Sequence, residues 1–171
     1  MKIVVSDSGI RGKGVFAAAP IAAGEVIHQM AGERVSLITC AWRIATRRTN
    51  FDDPLPISSD TFIILDQLSN RFNHSCAPNA ALRGEGQMFA IAPIAIDDEI
   101  TFDYSTTMRR SFYSRLWTMS CNCGAKSCRG TIGDVATIPK AQIDGYIQKG
   151  ALQDFMLASL GVKTPLTQPS S

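Results

Sequence analysis

The side chains best suited to chemistry fall in three short stretches. In residues 70–79 (NRFNHSCAPN) a histidine, a cysteine and several asparagines share ten residues closed by a proline and an asparagine. Asparagine both donates and accepts hydrogen bonds, which suits it to orienting a ligand, and His74 adds a group able to titrate or to ligate. The same residue types also build ordinary turns, and a lone histidine is commonly a hydrogen-bonded core residue. In residues 121–130 (CNCGAKSCRG) three cysteines stand within eight residues. Thiolates are soft ligands suited to zinc, and a closed tetrahedral site takes four ligands, so the cluster is one short. Residues 97–105 (DDEITFDYS) read as a strand ending in Asp103 and Tyr104. A tyrosine there either packs or presents its hydroxyl to a site.

Positioning these stretches falls to a chain patterned mostly as short strands. Residues 2–5 are apolar, 6–14 form a glycine-punctuated loop and 15–17 are extended again, the pattern of a β-hairpin; no G-x-G-x-x-G motif is completed there. A turn over 20–25 precedes a strand at 26–29, in which His28 reads as a partly exposed residue. Ser36 is placed to cap a short amphipathic helix running to Arg48, with Leu37, Ala41, Ile44, Ala45 and Arg48 at helical spacing and Cys40 as a small buried hydrophobe. Residues 51–60 read as a loop and 61–65 as a central strand. Residues 80–82 and 87–92 flank Arg83–Gly86 as a second hairpin, and 93–98 turn into a strand over 100–104. Residues 107–117 are predicted as a loop with one helical turn. Beyond the cysteines, Ile143, Tyr146 and Ile147, then Leu152, Phe155, Met156 and Leu160, form two helical stripes broken at Gly150, followed by a frayed polar tail over 161–171.

In this order, and together with GIRGKGVFA at residues 9–17, the three stretches resemble the SET-domain protein-lysine methyltransferases. The resemblance spans residues 3–131. The Asn-His-Ser-Cys-x-Pro-Asn run is specific to that family, and the cysteine cluster is similar to its post-SET motif. The fold this implies is mostly β: small curled antiparallel sheets with knot-like threading of two segments and a zinc-bound post-SET segment, to which the helical stripes beyond residue 131 add C-terminal helices. It divides the chain into a SET domain (1–117), a post-SET zinc segment (118–131) and a C-terminal helical extension with its tail (132–171).

The resemblance also assigns roles. S-adenosylmethionine would be contacted by Gly12, Lys13, Gly14, Asn73, His74 and Tyr104, with Tyr104 as the catalytic residue. Cys76 would be the fourth zinc ligand beside Cys121, Cys123 and Cys128, in a site that is structural because sulfur closes every position. Phe102 and Met30 would line the substrate channel. Phe102 stands where the family sets how many methyls are added, and Met30 stands where the family often has an aromatic. The substrate implied is a lysine in a protein or peptide laid beside a strand. The Met30 departure leaves room for a small-molecule amine instead, and a non-catalytic zinc-stabilised interaction domain is a third reading, against which the retained Tyr104 speaks.

Composition sets outer bounds. At 171 residues with 45% hydrophobic content, the chain suits one compact domain with a real core. Seventeen basic and fifteen acidic side chains leave a formal charge of +2, so no footprint for nucleic acid or an anionic membrane is visible; the pairs Arg47-Arg48 and Arg109-Arg110 fit a solvated face. No apolar run approaches the ~20 residues needed to cross a bilayer, and the first ten residues lack a signal peptide's apolar core. Five cysteines, three of them clustered, suit a metal site in a reducing compartment better than a disulfide framework. The location expected is intracellular, cytoplasmic, or nuclear in a eukaryote.

Overall fold

The computed structural model describes residues 2–50, 53–110 and 118–162. Residues 111–117, part of the predicted loop with a helical turn, and the polar tail from 163 onward lie outside them. The first hairpin forms as its glycine-punctuated loop demands: β1 (Ile3–Asp7) and β2 (Lys13–Ala17) pair antiparallel, Ile3 opposite Ala17 and Asp7 opposite Lys13. β3 (Val26–Gln29) follows, and β4 (Gly32–Ser36) runs directly into α1 (Leu37–Ala45). The Ser36 hydroxyl caps that helix, accepting the Thr39 N–H at 3.2 Å.

Two expectations about this region are corrected. The helix ends at Ala45 instead of Arg48, and Cys40 is its only buried residue; Leu37, Ile38 and Trp42 are exposed. A stripe at helical spacing guarantees an apolar face but not a partner for it, and α1 contacts β4 and β4's neighbour β6 (Thr61–Leu65) while leaving those three side chains exposed. The stretch 51–60 is not all loop, since β5 (Pro54–Pro56) pairs with β6 (Thr61–Leu65) in a sheet ordered β4-β6-β5. Prolines are tolerated there because an edge strand has hydrogen bonds to make on one side only. β6 holds the central place that its β-branched sequence predicts.

β7 (Asn73–His74) begins the motif segment, and the hairpin of β8 (Ala80–Arg83) and β9 (Gln87–Ala90) follows it, with β3 paired to the far side of β9. The next strand, β10 (Thr101–Phe102), is shorter than predicted and runs parallel to β7. It stops because the Asp103 carboxylate accepts the Ser105 N–H at 3.1 Å, winding Tyr104–Thr106 into a 3-10 turn. Tyr104 therefore opens a capped turn instead of ending a strand. β11 (Met119–Ser120) and β12 (Thr131–Ile132) pair antiparallel and bracket the cysteine cluster. α2 (Lys140–Gln148) and α3 (Asp154–Ser159) close the described chain, broken at Gly150 with φ of 61°.

The β8–β9 hairpin is buried on both faces, and strand alternation divides its residues between two cores. Ala80, Leu82, Met88 and Ala90 face one core with Val15, Ile63, Phe72, Ile94, Ile100 and Phe102. Ala81 and Phe89 face the other, against Tyr146, Leu152, Met156 and Leu157. Each such large side chain contributes about 1.5–3 kcal/mol through burial. The C-terminal helices thus cover a sheet that presents apolar groups on both sides. Among the described residues no helix is long and apolar enough to cross a membrane.

Candidate active site and metal centre

Two segments distant in sequence are laced together around the motif. β7 lies beside β10, the Ser75 N–H donates to the Phe102 carbonyl at 3.2 Å, and the Asn79 side chain reads the backbone opposite: its Nδ2 donates to the Glu99 carbonyl (2.9 Å) and its Oδ1 accepts the Thr101 N–H (2.9 Å). This places Asn73, His74 and Tyr104 together. The Tyr104 N–H donates to His74 Nδ1 at 3.1 Å, and the two rings meet edge to face at 5.4 Å.

His74 is neutral at pH 7. Burial, resisted by the Asp103 carboxylate and aided by Arg129, brings its pKa down to about 4. Because Nδ1 accepts from Tyr104, the ring proton sits on Nε2, which lies 3.3 Å from the Cys76 sulfur. Asn73 is buried and its Nδ2 is surrounded by acceptors: Glu99 Oε1 (2.7 Å), Ser8 Oγ (3.1 Å), the Lys13 carbonyl (3.1 Å) and the Arg11 carbonyl (3.3 Å). It fastens the loop of the first hairpin to the motif. The Tyr104 hydroxyl donates to the Phe72 carbonyl at 2.7 Å, and its ring packs on Phe102 with centroids 4.8 Å apart.

Two cavities meet at Tyr104. One, of about 380 Å³, is lined by Ile10, Arg11, Asn73, His74 and Tyr104 together with Met119, Ser120, Asn122 and Ile132 of the cysteine segment. Its size lies within the range of small-molecule sites, ~300–1,000 Å³. The other is a small slot of about 40 Å³ lined by apolar Pro54, Leu55, Pro56, Phe72 and Phe102 and by polar Asp53, Ser69, Asn70 and Thr107. Tyr104 lines both.

Some residues named from sequence lie elsewhere. Gly12, Lys13 and Gly14 are not in the lining of the larger cavity; Ile10 and Arg11 of the same loop are. Gly12 turns the loop with φ of 52°, and Gly14 makes room for Glu99, since a Cβ there would meet Glu99 Oε1 at 2.2 Å. Met30 is buried in the main core and lines neither cavity. His28 is half-buried as expected, bonded to Ser69 Oγ at 2.9 Å and stacked on Phe72.

The four sulfurs of Cys76, Cys121, Cys123 and Cys128 lie within 4.8 Å of one another, with Cys76 and Cys121 3.7 Å apart. A tetrahedral Zn–S₄ site with bonds of about 2.3 Å has sulfurs about 3.8 Å apart, so the donor set fits such an ion. Burial raises the Cys76 and Cys121 thiols. Burial also opposes ionisation of Cys123, but the backbone N–H groups of Cys76 and Ala125 and the neighbouring thiols outweigh it and bring Cys123 down to about 6. Cys40 is buried and stands apart from this group.

The sequence alone assigned no role to Asp103, Arg129 or Glu99. Arg129 grips Asp103 through a two-pronged pair at 2.8 and 2.7 Å, and the Ser8 hydroxyl donates to both Glu99 oxygens at 2.8 and 2.9 Å. A signal did exist: an Asp between Phe102 and Tyr104 and an Arg directly after Cys128 are charges set in segments that must be buried, and buried charges need partners.

Comparison with known proteins follows the same lines. The SET domain family model matches residues 12–105. The chain is 28% identical over 145 residues to Histone-lysine N-methyltransferase SETD1 of Drosophila melanogaster, covering 74% of this chain and 8% of that protein. It is 31% identical over 158 residues to Histone-lysine N-methyltransferase ASHH3 of Arabidopsis thaliana, covering 84% of this chain and 41% of that one. The chain therefore spans less than half the length of these relatives. Its fold is similar to the methyltransferase domain of human Histone-lysine N-methyltransferase SETMAR, with a TM-score of 0.60 at 21% identity, covering 77% of this chain and 58% of that one.

Proposed function

This chain belongs to the SET-domain family, and we propose that it transfers a methyl group from S-adenosylmethionine to the side-chain nitrogen of a lysine in a protein. One observation carries the reading: Tyr104 lines both a cavity large enough for a nucleoside-sized donor and a second, small slot of mixed apolar and polar lining. The donor supplies a methyl group on a sulfonium, transferable to a neutral nitrogen. Asn73, His74, Arg11 and Asn122 would hold it, and the slot would take the lysine.

The protein's own part follows from the slot and the hydroxyl. A free lysine has a pKa of about 10.4, so at neutral pH its nitrogen carries a proton that must be lost before attack. Pro54, Leu55, Phe72 and Phe102 in the slot's lining disfavour the ammonium, whereas the Asp53 carboxylate in the same lining favours it on arrival, and the proton passes to bulk water before attack. The Tyr104 proton is committed to the Phe72 carbonyl, which turns an oxygen lone pair toward an amine N–H and fixes the approach of the nitrogen. The four cysteines would hold one structural zinc, and the reading places the chain in a reducing compartment, cytoplasm or nucleus, where those thiols are kept for the metal.

The test is an assay with isotopically labelled methyl donor on histones, whole lysate and a pool of metabolite amines. Label on lysine in a protein band supports the proposal. Label only in the small-molecule fraction, or none with metal-replete protein that binds donor, removes it.

Asn73→Ala should weaken donor binding about tenfold, a cost of roughly 1.4 kcal/mol, because loop 8–13 loses its tie to the motif. Calorimetric titration measures this, and an unchanged Kd would count against the assigned role. Phe102 carries a prediction about product. A phenylalanine offers no hydroxyl to anchor an ordered water in the slot, so an already methylated amine has no such water to displace. The enzyme should pass beyond monomethylation, and Phe102→Tyr should shift the product toward monomethyl. Mass spectrometry at long reaction times reads this directly. If Phe102 is core packing alone, stability falls and the product ratio stays as it was.

A further inference from the structure

Arg129 is held in a way that neither metal ligation nor donor binding requires. Its guanidinium donates to both Asp103 oxygens at 2.8 and 2.7 Å and also to Ser105 Oγ at 3.1 Å, while its backbone N–H points to the Cys76 sulfur at 3.4 Å. The Asp103 side chain is only 1% exposed. It also accepts the Ser105 N–H and, at 3.3 Å, the Tyr146 hydroxyl. Tyr146 in turn is bonded by Gln142 Nε2 (2.6 Å), and the same Gln142 nitrogen reaches the Cys76 carbonyl at 2.9 Å. One buried network therefore joins the cysteine segment, the motif, α2 and the residues on either side of Tyr104.

From this geometry we propose that Arg129 is a positioning residue: it clamps the turn carrying Tyr104 to the four-cysteine centre, so that closing that centre sets the pose of the tyrosine between the two cavities. The inference rests on the methyl-transfer reading only for its kinetic consequence. Asp103 caps the Tyr104–Thr106 turn through one oxygen, and that same oxygen takes one prong of Arg129. Ser105, next to Tyr104, is gripped by the same prong. Loss of the fork leaves a buried carboxylate with only neutral donors, which can relax by drawing in water or rotating, and either motion moves the cap. The Arg129 N–H to Cys76 is a backbone group, so a side-chain change leaves it and the sulfur ligands in place. Lysine restores the charge but not the planar two-pronged geometry.

The experiment compares wild type, Arg129→Gln, Arg129→Lys and the exposed-site control Lys126→Gln as full chains, at a temperature where all are folded. Zinc content, donor Kd, kcat and hydrogen exchange of a peptide spanning 100–108 are measured on the same preparations. The expected pattern for Arg129→Gln is full zinc, donor Kd within about threefold of wild type, kcat down roughly 100-fold and faster exchange over 100–108, since small misplacements remote from the chemistry can cost that much. Arg129→Lys should fall between, and Lys126→Gln should match wild type. Wild-type exchange over 100–108 in Arg129→Gln overturns the clamp, as does loss of zinc together with donor binding, which would make Arg129 a plain structural residue. Exchange that responds as expected in a protein transferring no methyl group supports the clamp and removes the catalytic reading instead.

Discussion

Tyr104→Phe is expected to lose roughly 10²–10³-fold in kcat while binding the methyl donor as wild type does, the range seen when one preorganised polar group is removed from a reacting centre. The ring should stay where it is. It is held by Phe102 at 4.8 Å and His74 at 5.4 Å, and the Tyr104 N–H remains on His74 Nδ1 whichever side chain follows. What is lost is the oxygen fixed at 2.7 Å from the Phe72 carbonyl, on a residue that lines both cavities. The stability cost is that of leaving the Phe72 carbonyl without its donor, about 1–3 kcal/mol, too small to unfold the domain. Single-turnover transfer of labelled methyl and calorimetric titration of the donor separate the two effects. Full activity in Tyr104→Phe would falsify the assigned mechanism, whereas weaker donor binding with unchanged transfer would move the tyrosine from the reacting centre to the donor site.

The second large effect is on the metal. Wild-type protein should carry one zinc per chain, and Cys123→Ser should carry almost none, melt at a lower temperature and bind donor more than tenfold more weakly, a loss above ~1.4 kcal/mol. Sulfur-ligated zinc contributes about 10–16 kcal/mol of apparent binding free energy in small zinc-finger peptides, and where a site exists only in the folded state that energy is folding energy. Here the ligands join the 121–128 loop to Cys76 in the motif, and β11–β12 is a pair of two-residue strands unable to hold that loop unaided. Met119, Ser120, Asn122 and Ile132, which line the larger cavity, would loosen with it. Cys40→Ser should keep its zinc, since Cys40 lies buried on α1 apart from the cluster. Elemental analysis of protein never exposed to chelator decides the matter: less than half an equivalent of zinc in the wild type would end this reading of the cysteines.

Much of this was legible in the residues. The strands at 26–29 and 61–65, the hairpins around 6–14 and 83–86, the capped helix start at Ser36 and the two C-terminal helices are set by local pattern: alternation, positive-φ glycines and a capping hydroxyl act over a few residues and need no distant partner. The meeting of Cys76 with the later cysteines was implied by a motif, and the four sulfurs do come together.

What only the tertiary structure decided concerns partners. The apolar stripe of α1 could not announce that nothing among the described residues would cover Leu37, Ile38 and Trp42, and the prolines at 54 and 56 read as loop until β6 supplied an edge for them. Met30, which the resemblance sets in the substrate channel, packs beside Gly86 and Ile57 in the main core and is not among the residues lining either cavity. Of the first loop, which the resemblance sets against the donor, Gly12 turns the chain and Gly14 makes room for Glu99, while Ile10 and Arg11 line the larger cavity. Asp103 and Arg129 stand 26 residues apart and carry no local pattern. Sequence states which groups cannot be left alone when buried; which group meets which is settled by the energy of packing the whole chain at once, and that sum has no local term to read.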